Sequence, residues 1–498
     1  MNVLAFDLGA SSGRGILARF DGEKIILEEI HRFPHNFSML NGHAYWNIVS
    51  LMDEMKEGMR LCREPLAGVG FDTWGVDCGL LDAEGNLIGL PGSYRDPALD
   101  DANMEEVLKH LAMEGDTEEE RIAAGEKYAF EQTGIASLAY NTLYKLCYML
   151  EHMPSQMSAA ETVLLMPNLI EYLFSGVKHS EYSIVSTSQL FDMRQKRWAK
   201  ELMENVGLNP DLFTDVDYAG RDLGLLRPDI AKEVGQDNLH IISVSGHDTA
   251  CAVAAVPAAE EEFTFLSCGT WSLLGISSKK LLEGDDVIAG KISNEGTWDG
   301  GYRPTVNIIG LWMFQELRRN FQKEGREYKF AQLNDLAAKE PPLRSFIRPD
   351  DFMQPGDYPA KIREYCKKTG QPVPESDGAL VRCILESLAM KYRQVYQDLR
   401  PYITWEEKLY MVGGGVQNYL LTQFTANALG IPVITGASEA TAVGNVMEQL
   451  QALGAYKTRE EKCKILAASF ESKELLPQEQ EAWEEGYIRF SRLYVKEK

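Results

Sequence analysis

The sequence predicts an α/β protein built from two related lobes facing a cleft. Two observations carry that prediction. The N-terminal run VLAFDLGASSGRGILAR has an echo in FTFLSCGTWSLLGIS at 263–277. Each reads as an apolar strand, a small-residue turn and a second apolar strand, a hairpin whose tip approaches something closely. Further on, LYMVGGGVQNYLLTQFTANALG and IPVITGASEATAVGN each pass from a strand through glycine into a helix. A chain of 498 residues is long enough for two or three cores.

In chain order, the first hundred residues read as strands and turns around one helix. In NIVSLMDEMKEGMR (47–60), Ile48, Leu51, Met52, Met55 and Met59 share one helical face. Those methionines read as core filling. From about 101 to 160 the pattern turns helical and acidic, as expected of a solvated insertion. The stretch 220–240, rich in Gly, Pro and Asp, sets the expected boundary, dividing the chain into 1–240 and 241–498. The second hairpin has Ser267 and Cys268 where the first has Asp7, so the acid belongs to the first lobe alone. The segment after about 470 reads as helical and acidic.

Composition narrows the function. Hydrophobic content of 45% and charged content of 25% suit a globular enzyme. A net charge of −24 repels nucleic acid and anionic membranes, so a phosphate ligand needs local devices to hold it. No run approaches the roughly 18 apolar residues of a membrane span. No basic segment leads an apolar core at the start, and a cytoplasmic location is expected. The eight cysteines include no CxxC pair, so no zinc site is expected. Cys366 and Cys383 flank a short Pro-containing loop, and two free thiols is the simpler expectation for them.

Four stretches carry candidate chemistry. Asp7 ends a strand beside the small residues of 9–13, whose amides can meet phosphate oxygens while Arg14 adds charge. Such a carboxylate suits hydrated Mg²⁺, and equally caps a turn. In SVSGHDTA (243–250), Asp248 can act as a general base with Thr249 as a hydroxyl contact, or the pair can simply open a helix. In DTWGVD, Trp74 beside Gly75 can wall a sugar site or fill a core. In VNIIGLWMFQELRRN (306–320), Asn307 and Gln315 are polar positions on an expected, otherwise apolar helix. The triple glycine 413–415 is neither a Walker A loop nor GxGxxG; it can seat phosphate at a helix start. An acid at one hairpin, a second acid near the opening of the other lobe and a glycine-rich helix start form the division of labour that phosphoryl transfer requires.

With these stretches side by side, the chain resembles the FGGY family of carbohydrate kinases. DLGASSGR, IHRF, DTWGVD, LPGSYRD, NTLYKL, LLMPN, GHDTA, SCGTWSL, ISNEG, NIIGLW, PESD and VGGGVQN fall in the expected order over nearly the whole chain. The resemblance implies a two-lobed actin/RNase H-like ATPase fold with a central cleft. It implies ATP-dependent phosphorylation of a ketose, L-rhamnulose foremost, at the C1 hydroxyl, with Mg²⁺ as cofactor. Fuculose, xylulose and ribulose are the alternative sugars, and a partner-gripping actin-like ATPase or a turnover-deficient sugar sensor the alternative classes. By resemblance, Ala10, Ser11, Ser12, Gly13 and Arg14 form the ATP phosphate loop, with Asp7 at the metal. Thr270, Gln315 and Gly414 match nucleotide positions. Gly75, His247, Asp248, Thr249 and Asn307 match sugar positions, with Asp248 as base. The partners implied are the ketose and ATP, with no nucleic acid and no membrane. One departure is SYRDPALD, where Pro97 and Ala98 stand in place of the Arg that relatives often carry; it bears on sugar specificity.

Overall fold

The computed structural model describes residues 1–9 and 11–495. The chain divides into two compact units. Unit 1 comprises Met1–Ala255, Ser278–Pro304 and Thr441–Ser469; unit 2 comprises Val256–Ser277, Thr305–Ala440 and Phe470–Lys498.

Unit 1 is organised by a sheet of strands β1 (Asn2–Leu8), β2 (Ser12–Phe20), β3 (Ile25–Pro34), β4 (Gly68–Thr73), β5 (Arg221–Leu225) and β6 (His240–Ser243), in the order β5-β6-β4-β1-β2-β3. Its central strands are covered on both faces, which is why Val3–Leu8 and Gly68–Thr73 are buried throughout rather than alternating. Phe6 stacks on Phe71 at 5.6 Å between centroids, and Phe71 on Phe174 at 5.1 Å, pinning β1, β4 and the helix Met166–Ser175 together. The first helix, Ile48–Leu61, buries Ile48, Leu51, Met55 and Met59 as its periodicity predicts, and Asn47 caps it by accepting from the Ser50 N–H. The acidic region holds helices Asp101–Leu111, Glu118–Thr133, Thr142–His152 and Pro154–Ala159.

Unit 2 repeats the plan. Its strands β7 (Phe263–Cys268), β8 (Trp271–Ser277), β9 (Tyr302–Ile309), β10 (Leu409–Val412), β11 (Val433–Thr435) and β12 (Glu474–Leu475) run in the order β9-β8-β7-β10-β11-β12. In both sheets an antiparallel meander continues, beyond its first strand, into two parallel strands and an antiparallel edge. The repeat extends to the hairpin tips. Asp7 pairs with Arg14 one step before the last pair of its hairpin, as Ser267 pairs with Leu273 in the second. Helix Asp377–Leu399 supplies much of the core of unit 2, and helix Gln480–Ser491 belongs there too.

Two sequence expectations change. The boundary does not fall at 240/241: the stretch 220–240 forms β5 and helix Pro228–Val234 inside unit 1, and unit 1 continues to Ala255. Asp248 therefore lies in the same unit as Asp7, whereas the boundary at 240/241 set it in the other. Asn307 lies on β9, not on a helix, because the β-branched run Val306, Ile308, Ile309 favours a strand and Gly310 separates it from helix Trp312–Lys323. All eight cysteines are free thiols, Cys366 and Cys383 among them.

Candidate active site

Three carboxylates gather where the parallel strands of unit 1 end, the edge at which open α/β sheets bind ligands. Asp7 is next to last in β1 and lies in register with Asp72 of β4. Thr73 bridges to His247, and the Thr73 N–H donates to the Gly246 carbonyl at 2.9 Å, which sets Asp248 beside them just beyond β6. Asp7 forms an ion pair with Arg14. Asp72 is fully buried; its Oδ2 accepts from Asn445 at 2.7 Å, while its Oδ1 is buried without a hydrogen-bond partner. Burial, and then the charge of Asp7, hold Asp72 well above the usual carboxylate range. Asp72 is visible in DTWGVD only as a carboxylate beside Trp74 and Gly75, with no role of its own; the register with Asp7 places it among these acids.

The loop carrying the expected base is fixed by buried acids. Ser245 donates to Glu448 from its amide at 2.5 Å and from its hydroxyl at 2.8 Å, and the Gly246 N–H donates to Glu181 at 2.9 Å. Asp248 is the first residue of helix Asp248–Ala254, which His247 precedes as the N-cap position, so it opens the helix as one of the two sequence readings expected. The Thr249 hydroxyl donates to Asp248 Oδ1 at 3.1 Å. His247 Nε2 lies 3.3 Å from the same oxygen, close but off a hydrogen-bonding angle. Both of these contacts fall on Oδ1. Thr249 itself is buried, its hydroxyl committed to Asp248.

Gly75 sits in a strained turn. The next residue, Val76, has φ of 68°, rare for a β-branched side chain. Thr187 holds its amide at 3.0 Å and Thr142 its carbonyl at 2.7 Å. Trp74 is core rather than sugar wall. It packs on Trp46 at 4.1 Å, and both indoles donate to Asp77 Oδ2, at 2.7 and 2.6 Å, while buried Lys145 pairs with Asp77 Oδ1.

In the phosphate-loop region, Ser11 is exposed and Ser12 half-buried. Ala10 lies outside the described residues. The Gly9 amide is already engaged by the Ser12 carbonyl at 3.0 Å. Gly13 lies inside the ladder between Leu8 and Phe33, where a Cβ would fall 2.3 Å from the Phe33 ring, so packing accounts for that glycine.

The remaining candidates lie in unit 2. Thr270, exposed at the tip of the β7–β8 hairpin, accepts at its carbonyl from Gly310 and Trp312; Gln315 Nε2 reaches its hydroxyl at 3.5 Å. Asn307 is exposed on β9. Gly413 has φ of 87°, and its neighbour Gly414 is exposed with open space over it. The helix after the triple glycine does not offer a free N-terminus to phosphate. A short turn, Gly414–Gln417, intervenes, and Asn418 caps helix Tyr419–Leu429 by accepting from Leu421.

Among the described residues no group of three or more His, Cys, Asp or Glu side chains is placed to hold a metal alone. The hard oxygens of Asp7 and the unpartnered Asp72 Oδ1 nevertheless fit Mg²⁺, which keeps its waters and takes one or two carboxylates plus phosphate oxygens.

Comparison with known proteins decides the family. Residues 2–255 match the FGGY family of carbohydrate kinases, N-terminal domain, and residues 264–453 its C-terminal domain. The chain belongs to the FGGY family of carbohydrate kinases. FGGY relatives cover it almost completely. A rhamnulokinase from Bacteroides thetaiotaomicron is 40% identical over 495 residues, 98% of each chain. Another, from Halalkalibacterium halodurans, is 35% identical over 486 residues, 96% of this chain and 99% of that one. Among solved FGGY-like folds, xylulose kinase from Rhodospirillum rubrum superposes with a TM-score of 0.80 at 17% identity, covering 99% of this chain and 98% of that one. Plasmodium falciparum glycerol kinase with ADP gives 0.77 at 13%, covering 100% and 99%. The chain is thus an ATP-dependent sugar kinase of two-domain α/β fold. No helix among the described residues is long and apolar enough to cross a membrane.

Proposed function

We propose that this FGGY kinase transfers the γ-phosphoryl group of ATP to the C1 hydroxyl of L-rhamnulose, giving L-rhamnulose 1-phosphate and ADP in the cytoplasm. The sugar rests on the full-length likeness to rhamnulokinases; the chemistry rests on one observation, the arrangement of Asp248. Two neighbours crowd its Oδ1, so Oδ2 is the atom that takes the C1 proton as the hydroxyl oxygen attacks phosphorus and the bond to ADP breaks. The protein's task in such a reaction is mainly to position groups and neutralise charge. Gly75 and His247 orient the ketose, and Thr249 holds Asp248. Ser11, Ser12, Gly13 and Arg14, with Ala10, line the phosphates, and Thr270, Gln315 and Gly414 meet the nucleoside. Asp7, with Asp72 beside it, would hold Mg²⁺, which supplies charge neutralisation on the phosphates when bound. Incubating Mg-ATP and L-rhamnulose with the protein and reading the product by NMR tests the position of transfer. Phosphorus coupling to the C1 carbon and its protons is expected; a phosphate on any other carbon, or none, overturns the proposal.

A further inference from the structure

One cluster of unit 1 is not explained by the roles assigned so far. Arg303 is fully buried, yet it serves no large ion network. Its Nε donates to the Gly296 carbonyl at 2.9 Å, it forms an ion pair with Glu295, and its Nη2 lies 2.5 Å from His247 Nδ1 in hydrogen-bonding geometry. A guanidinium only donates. Nδ1 must therefore accept, and the neutral imidazole carries its proton on Nε2. Nε2 is the atom that faces Asp248 Oδ1. Glu295 Oε2 also lies 3.2 Å from Nδ1, but finds no partner at hydrogen-bonding angles, so it does not compete as the acceptor of an Nδ1 proton. Burial alone would raise the Glu295 carboxyl; the Arg303 guanidinium, and after it the neighbouring His247, outweigh that and hold the group at about 2. Arg303 Nη1 is buried without a partner, a cost that a purely structural arginine avoids.

We infer that Arg303, anchored by Glu295 and Gly296, locks His247 as the Nε2–H tautomer and thereby aims Asp248 at the sugar hydroxyl. Arg303 and Glu295 are positioning residues: neither needs to touch substrate. The inference rests on the proposed role of Asp248 as base, and its test separates the two.

Nitrogen NMR of histidine-labelled enzyme, with the His247 signal assigned by its loss in His247→Gln, reads the tautomer without any assay of activity. A proton on Nε2 is expected; a proton on Nδ1 overturns the inference even if the kinase reading stands. A kinetic cycle follows. Arg303→Met lowers kcat roughly 10- to 100-fold, the scale of a misplaced catalytic group. In the Asp248→Asn background the same change costs little, because the group it aims is gone. Equal losses in both backgrounds, with the His247 tautomer unchanged, would mean that Arg303 only supports the fold. Glu295→Gln, which keeps the side-chain volume, runs the same cycle should Arg303→Met fail to fold. If the wild type phosphorylates no ketose, the functional reading fails, while the tautomer of His247 still decides the lock.

Discussion

At the scale of single residues, the site rests on carboxylates whose surroundings differ. The Thr249 and His247 contacts of Asp248 fall on Oδ1, and Asp248→Asn is expected to lower kcat about 10²–10⁴-fold while ketose binding, followed by calorimetry, stays within a few-fold of wild type. Unchanged kcat would remove Asp248 from the role of base. Asp77 has a different task. It joins Trp46, Trp74 and Lys145 in a buried knot, and Asp77→Asn leaves the Lys145 ammonium buried and unpaired. A loss of about 3–5 kcal/mol in the denaturant unfolding of unit 1 is expected. These two acids show what one sequence discloses. Asp7 and Asp248 stand out as candidates because each sits near a strand end, but it is the family resemblance, and not the residues alone, that gives them roles. Asp72, Glu295 and Arg303 gain no role from the sequence, because their meaning lies in partners distant in the chain: β1 for Asp72 and the His247 loop for the other two.

At the scale of elements, the helix Ala440–Ala452 is packed against the helix that begins with Asp248. Gly444 makes the approach feasible, since a Cβ there would fall 1.8 Å from the Cys251 carbonyl oxygen. Gly444→Ala is expected to cost about 1–3 kcal/mol by overpacking and to lower kcat as the Asp248 helix is pushed aside. A thermal melt beside an activity assay checks both, and an unchanged melt would show that the helices separate without strain. From the same helix, Glu448 holds Ser245, and burial pushes its carboxyl up to about 8. The folded protein thus keeps a proton that the unfolded chain releases near its ordinary carboxylate pKa. That contribution is fully present at acidic pH and fades as pH rises toward 8, by about 1.4 kcal/mol per unit of separation. Glu448→Gln, a neutral mimic, is expected to flatten the fall in stability between pH 6 and 8.5; a fall as steep as that of wild type would contradict it. Elements were legible where periodicity was strong, as in Ile48–Leu61 and the two hairpins. They were misread where punctuation misled: the Gly- and Pro-rich 220–240 are held by sheet pairing in β5, and Asn307 by the β8–β9 ladder.

At the scale of the whole molecule, two sheets share an order over six strands, with the three acids in unit 1 and the expected nucleotide contacts of Thr270, Gln315 and Gly414 in unit 2. The paired hairpins made that duplication visible in the sequence. The interleaving of the two units along the chain was not, because a return such as Thr441–Ser469 into unit 1 leaves no compositional mark. With a net charge of −24, the molecule attracts nucleotide only through local devices. Removal of divalent cation by chelation is accordingly expected to abolish turnover and added Mg²⁺ to restore it. The most direct measurement is ADP release from Mg-ATP across a panel of ketoses: L-rhamnulose, fuculose, xylulose and ribulose. The account predicts that L-rhamnulose gives the highest kcat/KM by a clear margin. A different ketose in first place would contradict the substrate, and ADP release indifferent to every sugar would contradict the kinase itself.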